Sequence, residues 1–301
     1  MSEPIYVIVV NWNLKEDTIA CVESLRAAGV PLRQIVVVDN ASTDGSVPAL
    51  RERFGAALPL IQNAANLGFA AANNRGIRHA LAQGAEWVLL VNNDTVVAPT
   101  FFEALQKAIT EHPRFAILAP LILYFDAPDR IWHLGDRLIP GTLATVSLYR
   151  NRRDRGQLPP LLPVDFVTGC GMLVRRDVFE TIGLFDTGFF MYAEEVDFCW
   201  RARQAGFQIA CAPKAKMWHK VSRSANRDRP AARYRRVRNQ IRFYRRYAAG
   251  LQRPLMMGFT LLRSVGMALG DLLHRQPSLV SPLLQAWRDG WFGDPNPTEE
   301  L

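Results

Sequence analysis

The fold is decided by residues Ile35–Gly45, which read IVVVDNASTDG. The β-branched run from Ile35 to Val38 predicts a strand that is buried on both faces, as in a parallel sheet. Asp39 and Asn40 follow at once, and the loop to Gly45 is rich in turn-forming residues. In sheets of this kind ligands bind beyond the carboxyl ends of the strands, so these polar residues are candidates for a binding site.

Strands and helices alternate through the first half of the chain. Further strands are predicted at Ile5–Val10 and Trp87–Val91, and helices at Leu14–Ala28, Gly45–Phe54, Phe69–Gln83 and Thr100–Glu111. This alternation predicts an α/β fold, Rossmann-like, with a mostly parallel sheet and helices on both faces. The strand that ends at Val91 runs directly into Asn92, Asn93 and Asp94, so two strands end in polar clusters at the same edge.

The second half of the chain has a different pattern. Arg150–Pro163 is rich in charge, Gly and Pro and is interpreted as a mobile loop. Strands are predicted at Val164–Val174 and Phe207–Ala212, and a helix at Glu194–Ala205. From about Pro230 to near Asp289 the pattern is helical, with breaks predicted around Pro254, Pro277 and Pro282. We therefore divide the chain into a domain of residues 1–222 and a helical C-terminal extension of residues 223–301.

Composition limits the class of protein. The 301 residues are 49% hydrophobic, enough to bury a sizeable core. The four cysteines form no C-x-x-C pair and are interpreted as reduced, buried thiols of a cytoplasmic protein. The N-terminus has no pattern of a signal peptide. The longest apolar runs, Phe115–Phe125 and Pro254–Leu262, are shorter than the roughly 18 residues of a spanning helix, so we expect a soluble protein or one that lies on a membrane surface.

Several carboxylates are candidates for chemistry. Asp39 can accept hydrogen bonds from a ribose hydroxyl or a base N–H, whereas Asp44 either does the same or caps the next helix. Asp94 offers the oxygen ligand that Mg²⁺ and Mn²⁺ prefer. His219 is either structural or, beside Asp94, a further metal ligand.

Three carboxylates lie within four residues, at Glu194, Glu195 and Asp197. Glu194 and Asp197 share one helical face, and Glu195 is rotated away from them. One interpretation is an exposed helix N-terminus, where the helix dipole favours anions. The other is a general base that takes a proton from an acceptor hydroxyl, with its pKa set by its neighbours.

The net charge of +8 is concentrated in one segment, because Arg223–Arg246 holds ten arginines and one acid. An apolar stripe runs along the same helix, formed by Tyr234, Val237, Ile241, Tyr244 and Ala248. A basic amphipathic helix is typical of binding to an anionic membrane surface, with Leu255–Leu273 as a second contact. The alternative is that the stripe packs on residues 1–222. Nucleic-acid binding would leave the acidic clusters unexplained and lacks a motif, so no nucleic-acid partner is expected.

Six segments occur in a fixed order and spacing over roughly residues 4 to 225: Val9–Asn13 (VVNWN), Val36–Ser46 (VVVDNASTDGS), Asn66–Gly76 (NLGFAAANNRG), Leu89–Thr95 (LLVNNDT), Thr168–Arg176 (TGCGMLVRR) and Gly183–Asp197 (GLFDTGFFMYAEEVD). Arg201–Gly206 (RARQAG) and Trp218-His219 follow. This ordered set resembles the family 2 glycosyltransferases, particularly their rhamnosyltransferase-like branch.

The resemblance implies a GT-A fold and an inverting, metal-dependent sugar transfer from a nucleotide diphosphate donor. It places Asp39 at the base or ribose with Asn11 and Trp12 nearby. It makes Glu195 the catalytic base, with Glu194 and Asp197 as alternatives or acceptor-side groups. Asp94 and His219 would hold Mg²⁺ or Mn²⁺. The residues that would line the donor are Asn66, Gly68, Asn74, Asn92 and Asn93.

Two positions depart from the family pattern. Asn92 stands where the first acid of the D-x-D element is expected, and Glu195 stands where aspartate is usual, so the base reaches one methylene further. The branch favours dTDP-rhamnose as donor, followed by UDP-linked sugars, and a glycan or lipid-linked acceptor in cell-surface polysaccharide synthesis. The location implied is the cytoplasm or the inner face of the cell membrane. The alternative is a nucleotide-sugar-binding scaffold without activity, against which the acids at Asp94 and Glu195 argue.

Overall fold

The computed structural model describes residues 3–221 and 229–293. The strands in this part of the chain are β1 (Ile5–Asn11), β2 (Ile35–Asp39), β3 (Leu60–Gln62), β4 (Trp87–Asn92), β5 (Thr95–Val97), β6 (Phe115–Tyr124), β7 (Ile131–His133), β8 (Asp136–Leu138), β9 (Thr145–Ser147), β10 (Leu162–Val164), β11 (Gly171–Arg175) and β12 (Gln208–His219). The α-helices are α1 (Lys15–Ala27), α2 (Ser46–Phe54), α3 (Gly68–Ala82), α4 (Phe101–Glu111), α5 (Arg176–Ile182), α6 (Glu194–Gln204), α7 (Arg229–Tyr247), α8 (Gln252–Leu273) and α9 (Val280–Phe292).

One half of the central sheet is parallel, as the sequence predicts. Its strands lie in the order β3-β2-β1-β4, and every pair among them is parallel. The register pairs Asn11 with Asp39 and Val10 with Asn92, so the carboxyl ends of β1, β2 and β4 meet at one edge. The predicted α/β class and the convergence of the two polar clusters are confirmed.

The other half of the sheet is mixed, which corrects the expectation of a mostly parallel sheet. β11 lies antiparallel between β4 and β6, while β12 runs parallel to β6. β10 and β5 pair antiparallel with β12, β7 does so with β6, and β8 and β9 form a separate hairpin. A buried strand shows the same apolar run in either direction, so its sequence does not reveal which way it points.

Helices cover both faces of the sheet. α1, α2 and α4 pack on one face through a core that includes Leu25, Leu50 and Phe101. α3, α5 and α6 pack on the other through a core that includes Ile77 and Phe198. The four cysteines are buried and free, as predicted, and burial raises the pKa of the Cys21 thiol to about 12, which keeps it protonated.

Several predicted boundaries are wrong. The segment predicted as the strand Val164–Val174 forms the end of β10 and most of β11, with residues 165–170 in a loop between them. The helical break predicted around Pro254 lies at residues 248–251 instead. Pro254 and Pro282 sit in the first turns of α8 and α9, where proline removes no helical hydrogen bond. Only the break near Pro277 is confirmed.

The apolar stripe of α7 is buried inside the protein. Val237, Ile241 and Tyr244 belong to a third apolar cluster with Leu283 of α9. α9 approaches so closely that a Cβ at Gly290 would lie 2.7 Å from the Ile241 Cβ. The stripe predicted to bind a membrane is therefore covered by a neighbouring helix.

α8 runs through Arg263 to Leu273, as the predicted helical pattern allows. By length and composition alone its 22 residues could cross a membrane, so the expectation that the apolar runs are too short to span was wrong. The apolar run ends at Leu262, but a single arginine interrupts neither the helix nor its mean hydropathy.

The third cluster gives a matched test of packing. Leu283 has no exposed surface, whereas its neighbour Leu284 is 56% exposed. Leu283→Ala should lower the free energy of unfolding by about 2–5 kcal/mol, and Leu284→Ala by less than about 0.5 kcal/mol. Urea unfolding followed by tryptophan fluorescence measures both, and equal losses would contradict the described packing of α9.

Candidate active site

A buried hydrogen-bond network joins the ends of three parallel strands. The Asn11 Nδ2 donates to Asp39 Oδ1 at 2.7 Å and to Ser42 Oγ at 2.9 Å. The Asn11 Oδ1 accepts from Thr18 Oγ1 at 2.6 Å and from Asn93 Nδ2 at 3.1 Å. Every polar group of the Asn11 amide is used in this way. Asn11 and Asn93 therefore fix the position of the Asp39 carboxylate, whose second oxygen accepts from the Ser42 N–H at 3.0 Å.

Asp44 is a capping residue, one of the two interpretations of the sequence. Its carboxylate accepts from the N–H groups of Ser46 and Lys15, each at 3.0 Å, which are the first residues of α2 and α1. Burial on its own raises the pKa of Asp44, but the hydrogen bonds from Ser46 and Lys15 outweigh burial and hold that pKa below its usual value.

Three residues predicted to line the donor make structural contacts. Asn74 uses both ends of its amide on the Phe185 backbone, donating to its C=O at 2.8 Å and accepting from its N–H at 3.1 Å. Asn66 Oδ1 accepts from Asn40 Nδ2 at 2.7 Å. Gly68 has φ +77°, and a Cβ there would lie 2.4 Å from the Phe190 C=O oxygen. Asn74 and Gly68 therefore join α3 to the segment between α5 and α6, whereas Asn66 joins the start of α3 to the end of β2.

Asp94 and His219 face one another at the polar edge of the sheet. Asp94 Oδ1 lies 3.1 Å from His219 Nε2, and both side chains are buried. The pairing of β5 with β12 places Thr95 opposite His219, which is why residues 125 positions apart in the chain meet. The Trp132 ring packs edge-on against the imidazole at 4.5 Å between centroids, and the Lys220 N–H donates to the Asp94 C=O at 3.0 Å.

The protonation of His219 depends on these neighbours. Burial by itself lowers the pKa of His219, but Cys170 and the Asp94 carboxylate raise it to about 10. The buried Nδ1 has no hydrogen-bond partner among the described residues. A carboxylate oxygen and an imidazole that converge in this way suit Mg²⁺ or Mn²⁺. Within residues 3–221 and 229–293 no third His, Cys, Asp or Glu completes a metal-binding group, so the described residues offer two candidate ligands there.

Glu194 and Glu195 begin α6, Glu194 as a buried residue and Glu195 as a half-buried one. Burial and the neighbouring Glu195 carboxylate raise the pKa of Glu194 well above its usual value. Burial raises the pKa of Glu195 as well, Asp136 on β8 adds to this, and Arg236 on α7 opposes it. One oxygen of each glutamate lacks a hydrogen-bond partner in the described part of the chain. Buried carboxylates left without partners are costly to the fold and are typical of functional sites.

Asp197 is held differently from the two glutamates. It has no exposed surface, and its carboxylate accepts from Arg201 Nε at 2.8 Å, Arg246 Nη1 at 3.0 Å and the Tyr247 hydroxyl at 2.7 Å. A carboxylate that accepts from three donors of the protein has little freedom to take a proton from a substrate. The structure therefore gives Asp197 the role of a link between α6 and α7.

The turn before α6 has a strained backbone. Tyr192 and Ala193 both adopt the left-handed conformation, with φ +73° and +71°, which costs about 1–3 kcal/mol per residue. The buried Asn239 of α7 donates to the C=O groups of Met191 at 2.9 Å and Tyr192 at 3.2 Å. α7 therefore stabilises the turn that sets the direction of Glu195.

Several arginines of α7 contact the rest of the protein, and two of them, Arg238 and Arg242, are buried. Their guanidinium groups lie over aromatic rings of residues 189–192, at 4.8 Å for Arg235 over Phe190 and 4.8 Å for Arg236 over Tyr192. Arg242 Nη1 also donates to the Gly188 C=O at 2.6 Å. Sequence reasoning missed this use of the arginines, and it missed Asp136 and Asn239. Neither of these two residues lies in a motif that would have indicated its position.

Comparisons with known sequences identify the family of the chain. The model of the family described as glycosyl transferase family 2 matches residues 6–183. The chain belongs to glycosyl transferase family 2. It is 30% identical over 249 residues to an N-acetylglucosaminyl-diphospho-decaprenol L-rhamnosyltransferase of Mycobacterium tuberculosis, covering 76% of this chain and 80% of that protein. It is 24% identical over 260 residues to the dTDP-rhamnosyl transferase RfbF of Shigella flexneri, covering 82% and 81%.

The structural comparison confirms the GT-A fold of this family 2 member. A mannosyltransferase from Pyrobaculum calidifontis, solved with GDP-Man and Mn²⁺, superposes with a TM-score of 0.56 at 16% identity. The match covers 97% of this chain and 88% of that one. The resemblance to rhamnosyltransferases in particular comes from the sequence relatives.

Removing the charge of Asp197 and removing the charge of Glu195 should have different effects on the free energy of unfolding. Asp197→Asn removes the partner of Arg201 and Arg246 and should lower the free energy of unfolding by about 2–4 kcal/mol. Glu195→Gln removes a charge that burial disfavours and that has one oxygen without a hydrogen-bond partner, so it should leave that free energy unchanged or raise it. Urea unfolding at pH 7 measures both, and a larger loss for Glu195→Gln would contradict the assignment.

Proposed function

We propose that this glycosyltransferase moves a sugar from a nucleotide diphosphate donor to an acceptor hydroxyl with inversion, using Glu195 as its base and a divalent cation at Asp94 and His219. One observation supports this above the others. The Asp94–His219 pair and the proposed base Glu195 both lie beside the loop of residues 165–170. A Cβ at Gly169 would lie 3.9 Å from the Glu195 Cβ, and the adjacent Cys170 is close enough to His219 to raise its pKa.

The donor nucleotide would bind at the ends of β1 and β2. Asp39 is held in place by Asn11 and accepts hydrogen bonds from a ribose hydroxyl or a base N–H, with Trp12 alongside. A carboxylate has about four acceptor positions, so Asp39 retains capacity beyond its two contacts in the protein. Asn92 and Asn93 belong to the same edge, Asn92 as a half-buried neutral group and Asn93 as part of the Asn11 network. The named relatives favour dTDP-rhamnose as the donor, with UDP-linked sugars as the alternative.

Asp94 and His219 would hold the cation. When bound there, Mg²⁺ or Mn²⁺ offsets the negative charge that develops on the departing diphosphate. A cation that takes few protein ligands completes its coordination with phosphate oxygens and water, which agrees with the two ligands found. Because a metal-bound imidazole is neutral, His219 would release its proton on binding.

Glu195 would supply the base chemistry. Its carboxylate takes the proton of the acceptor hydroxyl as the hydroxyl oxygen bonds to the anomeric carbon. The bond from that carbon to the diphosphate oxygen breaks on the opposite face, and the nucleoside diphosphate leaves. A raised pKa brings Glu195 closer to neutral pH, where a general base is most effective. Glu194 lies beside Glu195, and burial together with the Glu195 carboxylate raises the pKa of Glu194.

The acceptor is proposed to be a glycan or a lipid-linked sugar used in cell-surface polysaccharide synthesis. The mycobacterial relative is named for a diphospho-decaprenol acceptor, which supports the lipid-linked class. Residues 1–222 would carry the transfer chemistry and residues 223–301 would hold the base in place. We propose that the enzyme works in the cytoplasm, at the inner face of the membrane.

Two variants should separate the effect on donor binding from the effect on turnover. Asp94→Asn should weaken metal-dependent binding of the donor by at least about tenfold, because one ligand loses its charge. Glu195→Gln should keep the Kd of the donor and lower kcat by about 10²–10⁴-fold. Calorimetric titration with dTDP-, UDP- and GDP-sugars, with and without Mn²⁺, measures the first effect. Glu103→Gln, on the first turn of α4, serves as the control, and normal turnover of Glu195→Gln would contradict the proposal.

The pH dependence of kcat should report on Glu195. The groups that face it are Glu194 and Cys199 on α6, Asp136 on β8 and Arg236 on α7. Since the base must be ionised, kcat should rise with pH through a pKa above the ordinary value of 4.5. Arg236→Gln removes the charge that opposes this shift, so it should move the acidic limb to higher pH. An acidic limb at or below the ordinary value would contradict the buried base.

A further inference from the structure

α8 has two faces of opposite character. The exposed face is apolar along its whole length, with Leu251 89%, Leu262 75% and Leu273 82% exposed. The other members of this face are Leu255, Phe259, Val265 and Leu269. Their spacing of three, four or seven residues places them on one side of the helix. We refer to these seven residues as the α8 apolar face.

The opposite side of α8 is buried and partly polar. Thr260 Oγ1 accepts from the Trp291 indole at 3.0 Å, and Asp271 pairs with Arg233 of α7 at 3.1 Å. Ser264 is buried on the same side. A helix of a water-soluble protein normally buries its apolar side, so this arrangement is reversed. An exposed apolar patch of this length indicates an interaction surface.

The charge around this surface is of one sign. Residues 229–293 contain twelve arginines and two aspartates, with no lysine or glutamate, for a net charge of +10. The two aspartates contact arginines, Asp271 with Arg233 and Asp289 with Arg288. Arg253, Arg263, Arg275 and Arg288 are exposed around α8. Apolar side chains bordered by cations match the chemistry of an anionic lipid surface, where acyl chains lie beneath negative headgroups.

The packing of α8 excludes a spanning position in this structure. Its buried side lies against α7, which carries eight arginines, and the Arg233–Asp271 pair ties the two helices together. A helix that crossed the hydrocarbon would take these charges with it, at high cost in free energy. A helix that lies flat on the membrane immerses only its apolar side and leaves α7 and α9 in water.

We propose that the α8 apolar face docks this protein on the surface of an anionic bilayer. The use of this contact rests on the proposed function, because a lipid-linked acceptor presents its sugar at such a surface. The docked helix is coupled to the site, since α7 packs between α8 and the loop before α6 and holds Asp197. Of the two membrane contacts that the sequence indicated, this surface lies in the second, Leu255–Leu273, whereas the α7 stripe is buried.

Vesicle sedimentation of the full chain tests the proposal without donor or acceptor. The wild type should bind vesicles of phosphatidylcholine with about one third phosphatidylglycerol, and bind pure phosphatidylcholine more weakly. Leu262→Gln/Leu269→Gln should weaken binding by about tenfold or more. The matched control, Ala57→Gln/Ala82→Gln, changes exposed positions of the catalytic domain and should bind like the wild type. Extraction by alkaline carbonate should release the protein, as expected of a helix that does not span.

Each other outcome overturns the proposal. Binding that the Leu262/Leu269 variant retains would exclude the α8 apolar face, and resistance to carbonate would show a spanning helix. A second copy of the chain would cover the face if the wild type binds no vesicles and forms a dimer, and if the Leu262/Leu269 variant is a monomer.

Transfer of the sugar to a soluble acceptor is measured in parallel. If that transfer is absent, the proposed function fails, whereas its presence together with loss of vesicle binding shows that docking alone has failed.

Discussion

A carboxylate with no exposed surface must be surrounded by donors, and Asp197 meets this constraint with groups from two parts of the chain. Arg201 lies one turn further along α6, whereas Arg246 and Tyr247 come from the end of α7. Because of this arrangement a movement of α7 would remove two of the three donors of this buried carboxylate, which is costly in free energy. The same contacts fix the first turn of α6, so the position of Glu195 depends on them.

The active site combines well-satisfied and poorly satisfied polar groups, and the difference separates their roles. Asn11, Asn74 and Asp197 use their hydrogen-bonding capacity within the protein and set positions. Glu194 and Glu195 keep oxygens without partners in the described chain, next to a turn held in the left-handed conformation by Asn239. Such groups destabilise the fold, and they persist because the surrounding contacts over-determine them. In the proposed mechanism a substrate hydroxyl would donate to these oxygens.

The sequence was informative where one strand or one helix determines the result. The apolar run before Asp39 and the run before Asn92 predicted two strand ends at one edge, and the register of β1 with β2 and β4 confirms this. The sequence did not indicate which residues contact each other when they are distant in the chain. Asn74 was predicted to line the donor but binds the Phe185 backbone, 111 residues away. The arginines of α7 suggested an external anion, but several pack on residues 186–197, since a charge run does not show which face is buried.

The anomeric configuration of the first product tests the central claim most directly. Glu195 acting as a base, with no covalent intermediate, requires a single displacement from the face opposite the diphosphate. Proton NMR of the new linkage, recorded as dTDP-rhamnose is consumed with Mn²⁺ and a soluble acceptor, reports the configuration before any rearrangement. The account predicts a configuration opposite to that of the donor. Retention of the donor configuration would contradict it, because two displacements would then be needed and Glu195 would have a different role.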